Sequence, residues 1–159
     1  MSPAPSQPRT NRGFTVVEAL IVVAIVGVLV GIALPKYFDY RERMRVSQAI
    51  QDIAGMNVKI TGYMRDNTLP PSSLVEVGDA GKLDPWGRPY SYLPIMGASK
   101  GIAGKARKNK NLTPLNSDFD LYSVGKDGQS VGPLTAGPSR DDVVRANDGH
   151  FIGLASDYE

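Results

Sequence analysis

One uninterrupted apolar block limits what this chain can become more than anything else in it. From Phe14 to Leu34 the sequence reads FTVVEALIVVAIVGVLVGIAL, 21 residues in which Glu18 carries the only charge. As a helix rising 1.5 Å per residue the block would be about 31 Å long, enough to cross the hydrocarbon core of a bilayer. A cleaved secretory signal is one reading, with Arg9 and Arg12 as its basic region and Gly31-Ile32-Ala33 as small residues for cleavage. A plain transmembrane anchor is another. The flanking charges do not choose an orientation: two arginines precede the block, and Lys36, Arg41, Arg43 and Arg45 follow it. Cysteine is absent, so disulfides and thiolate metal sites are excluded. A formal charge of +2 on 159 residues implies no strong polyanion partner.

Past Pro35 the helical pattern resumes. Val46, Ile50, Ile53, Asn57, Ile60 and Met64 recur at steps of four and three, flanked by Ala49, Met56 and Tyr63. Polar residues such as Arg41, Glu42, Arg45, Gln48, Asp52 and Lys59 occupy the other faces, so residues 36–65 form an amphipathic helix with one apolar face for a small sheet. Pro35 removes one helical hydrogen bond and predicts a kink or local melting. Gly27 and Gly31 have the four-residue spacing that lets membrane helices approach closely. Residues 66–82, rich in Pro, Gly and Ser, read as a connector. Asp84 to Tyr92, DPWGRPYSY, reads as a turn entering a strand with Trp86 as core plug, and Asp118 to Gly128, DFDLYSVGKDG, as a strand ending in an Asp-Gly turn. Between them lies the basic stretch KGIAGKARKNKN, 100–111. It carries no interleaved aromatic for base stacking and reads as a solvated excursion, so no nucleic acid is expected.

The segment Gly13-Phe14-Thr15-Val16-Val17-Glu18 resembles the processing site of type IV prepilins and type II secretion pseudopilins. The resemblance implies that residues 1–13 are a leader, cut between Gly13 and Phe14 by a prepilin peptidase that then methylates the Phe14 amine. Residues 14–35 would be the transmembrane and filament-core helix, 36–65 the helical spine of a periplasmic head, and 66–159 its loop-rich sheet, an α+β type IV pilin fold. Removing residues 1–13 takes the formal charge from +2 to 0. A carboxylate in hydrocarbon costs a few kcal/mol and needs a partner. Cleavage exposes one, the Phe14 amine, which Glu18 of a neighbouring subunit could meet in a filament, fixing its register.

DPWGRPY and DLYSVGKDG are similar to the corresponding segments of the major pseudopilin of type II secretion, which places a pseudopilus subunit ahead of a type IV pilus subunit. Many type IV pilins close their C-terminal region with a disulfide, which this chain cannot do. The major pseudopilins bind calcium there instead, and that resemblance implies a calcium site from the Val124 carbonyl, Asp127, Asp141 and Asp142. The loop is longer than the family's usual one, and the tail through Asp148 and His150, the latter in an apparent strand, could add a strand or a competing carboxylate. The resemblance also implies self-polymerisation, an assembly-platform membrane protein, an assembly ATPase and minor pseudopilins, with the subunit stored in the inner membrane, N-terminus cytoplasmic before processing. A secreted or membrane-tethered calcium- or DNA-binding domain is the alternative from a different class. Enzymatic activity is not expected, for one His, no Cys and no phosphate loop leave no catalytic motif.

Overall fold

The computed structural model describes residues 13–110 and 113–158, so residues 1–12 of the expected leader lie outside the described part. The chain divides into two compact units, with the boundary between Tyr40 and Arg41. One long helix, α1 (Val16–Asn67), contributes to both. In the N-terminal unit every described residue is exposed to its surroundings, including Val17, Leu20, Ile21, Ile25 and Leu29. This stretch is apolar and long enough, by length and composition, to cross a membrane. The local melting expected at Pro35 does not occur, since α1 runs through it unbroken. A proline deletes a single N–H donor, and the remaining hydrogen bonds of a long helix carry the turn.

In the second unit, Ala49, Ile53, Met56 and Ile60 of α1 are buried at the 3.6-residue period that the stripe predicts. They pack on a four-stranded antiparallel sheet whose spatial order follows the chain: β1 (Ser91–Pro94), β2 (Phe119–Ser123), β3 (Val143–Ala146) and β4 (Phe151–Leu154). Register places Leu93 opposite Asp120, Tyr122 opposite Val144 and Arg145 opposite Ile152. Successive strand residues alternate between two cores, as the period of two requires. Phe119, Leu121 and Val143 join the helix, with Ile152 and Leu154 packed alongside. Val144 and Ala146 face a second cluster with Leu115, Leu134 and Ala155, against which Tyr122, Phe151 and Tyr158 pack. Among the described residues no long helix covers that outer face; loop residues such as Leu115 and Leu134 do.

Two local expectations change. Trp86 is half-buried at the edge of the core, and its indole N–H donates to Glu42 Oε1 at 2.9 Å. The buried aromatic of that segment is Tyr90, whose hydroxyl donates to Asp52 Oδ2 at 2.9 Å. His150 lies in the turn before β4 rather than in a strand, with Nδ1 2.7 Å from the carbonyl of Asn147. The tail does add a strand, β4.

Candidate functional site

The first site is the start of α1. Thr15 is the residue before the helix, and Glu18 is its third helical position. The Thr15 N–H and hydroxyl both donate to Glu18 Oε2 at 2.9 Å, and the Glu18 N–H donates back to Thr15 Oγ1 at 3.2 Å. This is a capping box, in which two otherwise orphaned backbone donors are satisfied reciprocally. Its T-x-x-E signal, Thr15 to Glu18, stands in the sequence itself. Both bonds from Thr15 land on one carboxylate oxygen, so the helix start holds Glu18 in a defined rotamer beside Phe14, itself 83% exposed. Gly27 and Gly31 further along have open space where a side chain would be.

The second site is the loop after β2, where calcium ligands are expected. Two segments build it jointly. In the DPWG turn, Asp84 Oδ1 accepts the N–H groups of Trp86 at 3.0 Å and Arg88 at 2.8 Å, and the Ser123 hydroxyl at the end of β2 donates to Asp84 Oδ2. Arg88 then reaches across: Nη1 donates to the carbonyl of Gly125 at 2.7 Å, with Lys126 O at 3.4 Å from both terminal nitrogens. Gly128 has φ +73°, and any side chain there would come within 2.5 Å of the Arg88 guanidinium. The positive φ favours glycine there, and any larger residue would have to displace the Arg88 guanidinium.

Of the expected ligands, Asp127 and Asp141 meet each other, while Asp142 is taken by other groups. Asp141 Oδ2 accepts the Asp127 N–H at 2.9 Å, and Asp127 Oδ1 accepts the Gln129 N–H at 2.7 Å. Asp142 is fully buried, and its Oδ2 takes Arg107 Nη2 at 2.6 Å and the Ser130 hydroxyl at 2.6 Å. Arg107 also donates from Nη1 to Ser130 Oγ and lies 4.2 Å over the Tyr122 ring. Burial pushes the Asp142 carboxyl up to about 6, against the opposing pull of Ser130 and Arg107. Among the described residues, no three carboxylates or histidines gather as a metal site. Asp142, held by the Arg107 cation, does not fit a calcium shell, which needs six to eight oxygens converging on one point, whereas Asp127 and Asp141 meet each other in the turn. Asp148 does not compete for that role either; it accepts the Ser117 N–H at 2.7 Å and its hydroxyl at 2.8 Å.

Arg107 corrects the reading of the basic stretch. Within it, Ala106, Arg107 and Asn109 are buried, while Lys100, Lys105, Lys108 and Lys110 are exposed. A second buried arginine, Arg145, was not anticipated. It grips Asp118 through two bonds of 2.7 Å, donates to Asn57 of α1 at 2.6 Å and lies 3.9 Å over the Phe119 ring.

Comparison with known proteins adds a family signal at the helix start. A family described as "Prokaryotic N-terminal methylation motif" matches residues 8–34. The chain is 34% identical over 141 residues to a fimbrial protein of Neisseria meningitidis serogroup A, covering 87% of this chain and 81% of that protein. It is 41% identical over 147 residues to the type IV major pilin protein PilE1 of Neisseria gonorrhoeae, covering 76% and 82%. It is 31% identical over 147 residues to the type II secretion system core protein G of Pseudomonas aeruginosa, covering 79% and 91%. No solved structure matches.

Proposed function

This chain belongs to the type IV pilin-like superfamily, and we propose that within it the protein is a structural subunit of a periplasmic pseudopilus that drives type II protein secretion. The observation that carries this reading is the interlock of DPWGRPY with DLYSVGKDG, through Asp84 to Ser123 and Arg88 to Gly125. The two segments that resemble the major pseudopilin form one structural knot here. The similarity to core protein G of a type II secretion system, covering 91% of that protein, supports it.

Prepilin peptidase would cut between Gly13 and Phe14 and methylate the new amine. The subunit would wait in the inner membrane as a single pass, N-terminus cytoplasmic before processing and second unit periplasmic. An assembly platform and an ATPase would then add it to a homopolymer tipped by minor pseudopilins. Burial of the exposed aliphatic side chains of 16–34 between neighbouring helices would supply most of the cohesion, at about 25 cal/mol per Å² of apolar surface. Glu18, meeting the Phe14 amine of a neighbour, would set register. Its role is structural, not catalytic.

A surface type IV pilus subunit is the second reading, favoured by relatives named fimbrial protein and major pilin. Deleting the gene in its own bacterium separates the two, with secreted protein in the medium and surface filaments scored together. Loss of secretion with surface filaments intact is the expected result. Loss of filaments with secretion intact would assign the chain to a surface pilus.

A further inference from the structure

We infer that this chain locks its C-terminal loop with two of its own guanidinium groups, Arg88 and Arg107, and that the loop holds its shape without calcium. A divalent cation stabilises such a loop by drawing carboxylate and carbonyl oxygens from separate stretches onto one centre. Here the oxygens are already drawn onto fixed cations. Arg88 takes the carbonyls that follow β2, those of Gly125 and Lys126. Arg107 takes the carboxylate that precedes β3, that of Asp142, and ties Ser130 into the same group. Between them, Asp141 accepts the backbone N–H of Asp127, so the turn at 125–128 is pinned from both sides.

Arg88 lies against Gly128, whose missing side chain leaves room for the guanidinium, and Arg107 is the more firmly held of the two. Arg107 is 4% exposed, lies over the Tyr122 ring, and has its backbone N–H bound by Asp120 Oδ2 at 2.6 Å. A planar guanidinium with several donors in a rigid fork can bridge two oxygens at once, which an ammonium cannot reproduce. One feature could favour a metal: among the described residues, buried Asp142 Oδ1 has no hydrogen-bond partner. A single oxygen on a carboxylate already facing a guanidinium falls well short of a calcium shell, and the nearby positive charge opposes a second cation. Arg107 Nε is likewise without a partner, which makes the pair a local compromise, not an ideal network.

The test uses the mature full-length protein in detergent, so it reads folding and does not depend on which filament the subunit builds. Thermal unfolding is followed by the fluorescence of Trp86 in EDTA and in millimolar calcium, for the wild type, Arg107→Gln, Arg107→Lys and Arg88→Gln. The wild-type curves are expected to coincide in the two solutions, and calorimetric titration with calcium chloride to show no binding heat. Arg107→Gln and Arg88→Gln are expected to lower Tm by about 5 °C or more, equally in EDTA and in calcium, with Arg107→Lys recovering only part of the loss. A wild-type Tm that falls in EDTA and returns with calcium would overturn the inference. So would glutamine variants that melt like the wild type. If a glutamine variant fails to fold, the wild-type comparison still decides.

Discussion

Replacing Arg145 with methionine removes the largest fully buried side chain that carries a charge and puts an apolar chain of similar length in its place. Arg145 is 1% exposed, and three of its bonds run to Asp118 and Asn57 at 2.6 to 2.7 Å. Once it is gone, the Asp118 carboxylate, in a residue only 8% exposed, keeps its short bond from the Phe119 N–H but loses its counter-charge. Breaking a buried pair in this way costs about 3–5 kcal/mol. Each kcal/mol moves the Tm of a chain this size by roughly 2–4 °C, so a fall of about 10 °C is expected. Urea unfolding of the mature protein in detergent, followed by Trp86 fluorescence, gives the same comparison at constant temperature. Adding Asp118→Asn to Arg145→Met should restore at least half of the lost stability, because the stranded charge is then gone. A single variant within about 1 kcal/mol of the wild type would refute the reasoning, since a surface pair would behave that way. So would a double variant no better than the single.

Glu18→Ala should abolish filament assembly while leaving membrane insertion intact, read by shear preparation of filaments beside membrane fractionation; normal filaments would sink the register role. Thr15→Val should weaken assembly without abolishing it, because it removes the two bonds that the Thr15 hydroxyl makes with Glu18 and leaves the one from the Thr15 backbone N–H. A third expectation concerns pH. The Asp142 carboxyl is raised from 3.8 to about 6, and burial raises Asp120 too. A carboxyl whose folded value lies above its unfolded one contributes stability that is full below pH 3.8 and lost as pH rises through about 6. The Tm of the wild type should therefore fall across that window, and Asp142→Asn should flatten the fall; a slope unchanged by the substitution would contradict the assignment.

Much of the fold was legible because its periods are strong. The run of 14–34 has the length and composition of a span, and the stripe through Ile53 and Ile60 matches the buried face of α1. The turn-to-strand reading of Asp84–Tyr92 leads into β1, and the strand read within Asp118–Gly128 contains β2, both from alternation and turn residues. What stayed hidden depends on contacts between distant residues. Arg107 stands in a run of lysines, and nothing local separates the one cation that turns inward to meet Asp142 from those that stay in water. Arg145 likewise acquires its meaning from Asp118 and Asn57. Trp86 reads as core by size, but its N–H needs an acceptor, and Glu42 supplies one only at the rim. The calcium ligands follow from resemblance alone, and here Asp127 and Asp141 accept backbone N–H groups while Asp142 accepts Arg107 and the Ser130 hydroxyl. At the helix start, the charge of Glu18 directed attention to a partner in another subunit, while its nearest partner, Thr15, lay three residues away.

The central claim is that processing between Gly13 and Phe14 makes the functional subunit. Intact-mass and N-terminal fragment measurements on the protein from its own bacterium test that directly. The account predicts a chain that begins at N-methylated Phe14 and has lost residues 1–13 entirely. A chain that still begins at Met1 in assembled material, or one that begins at Leu34 after ordinary signal cleavage, would contradict it.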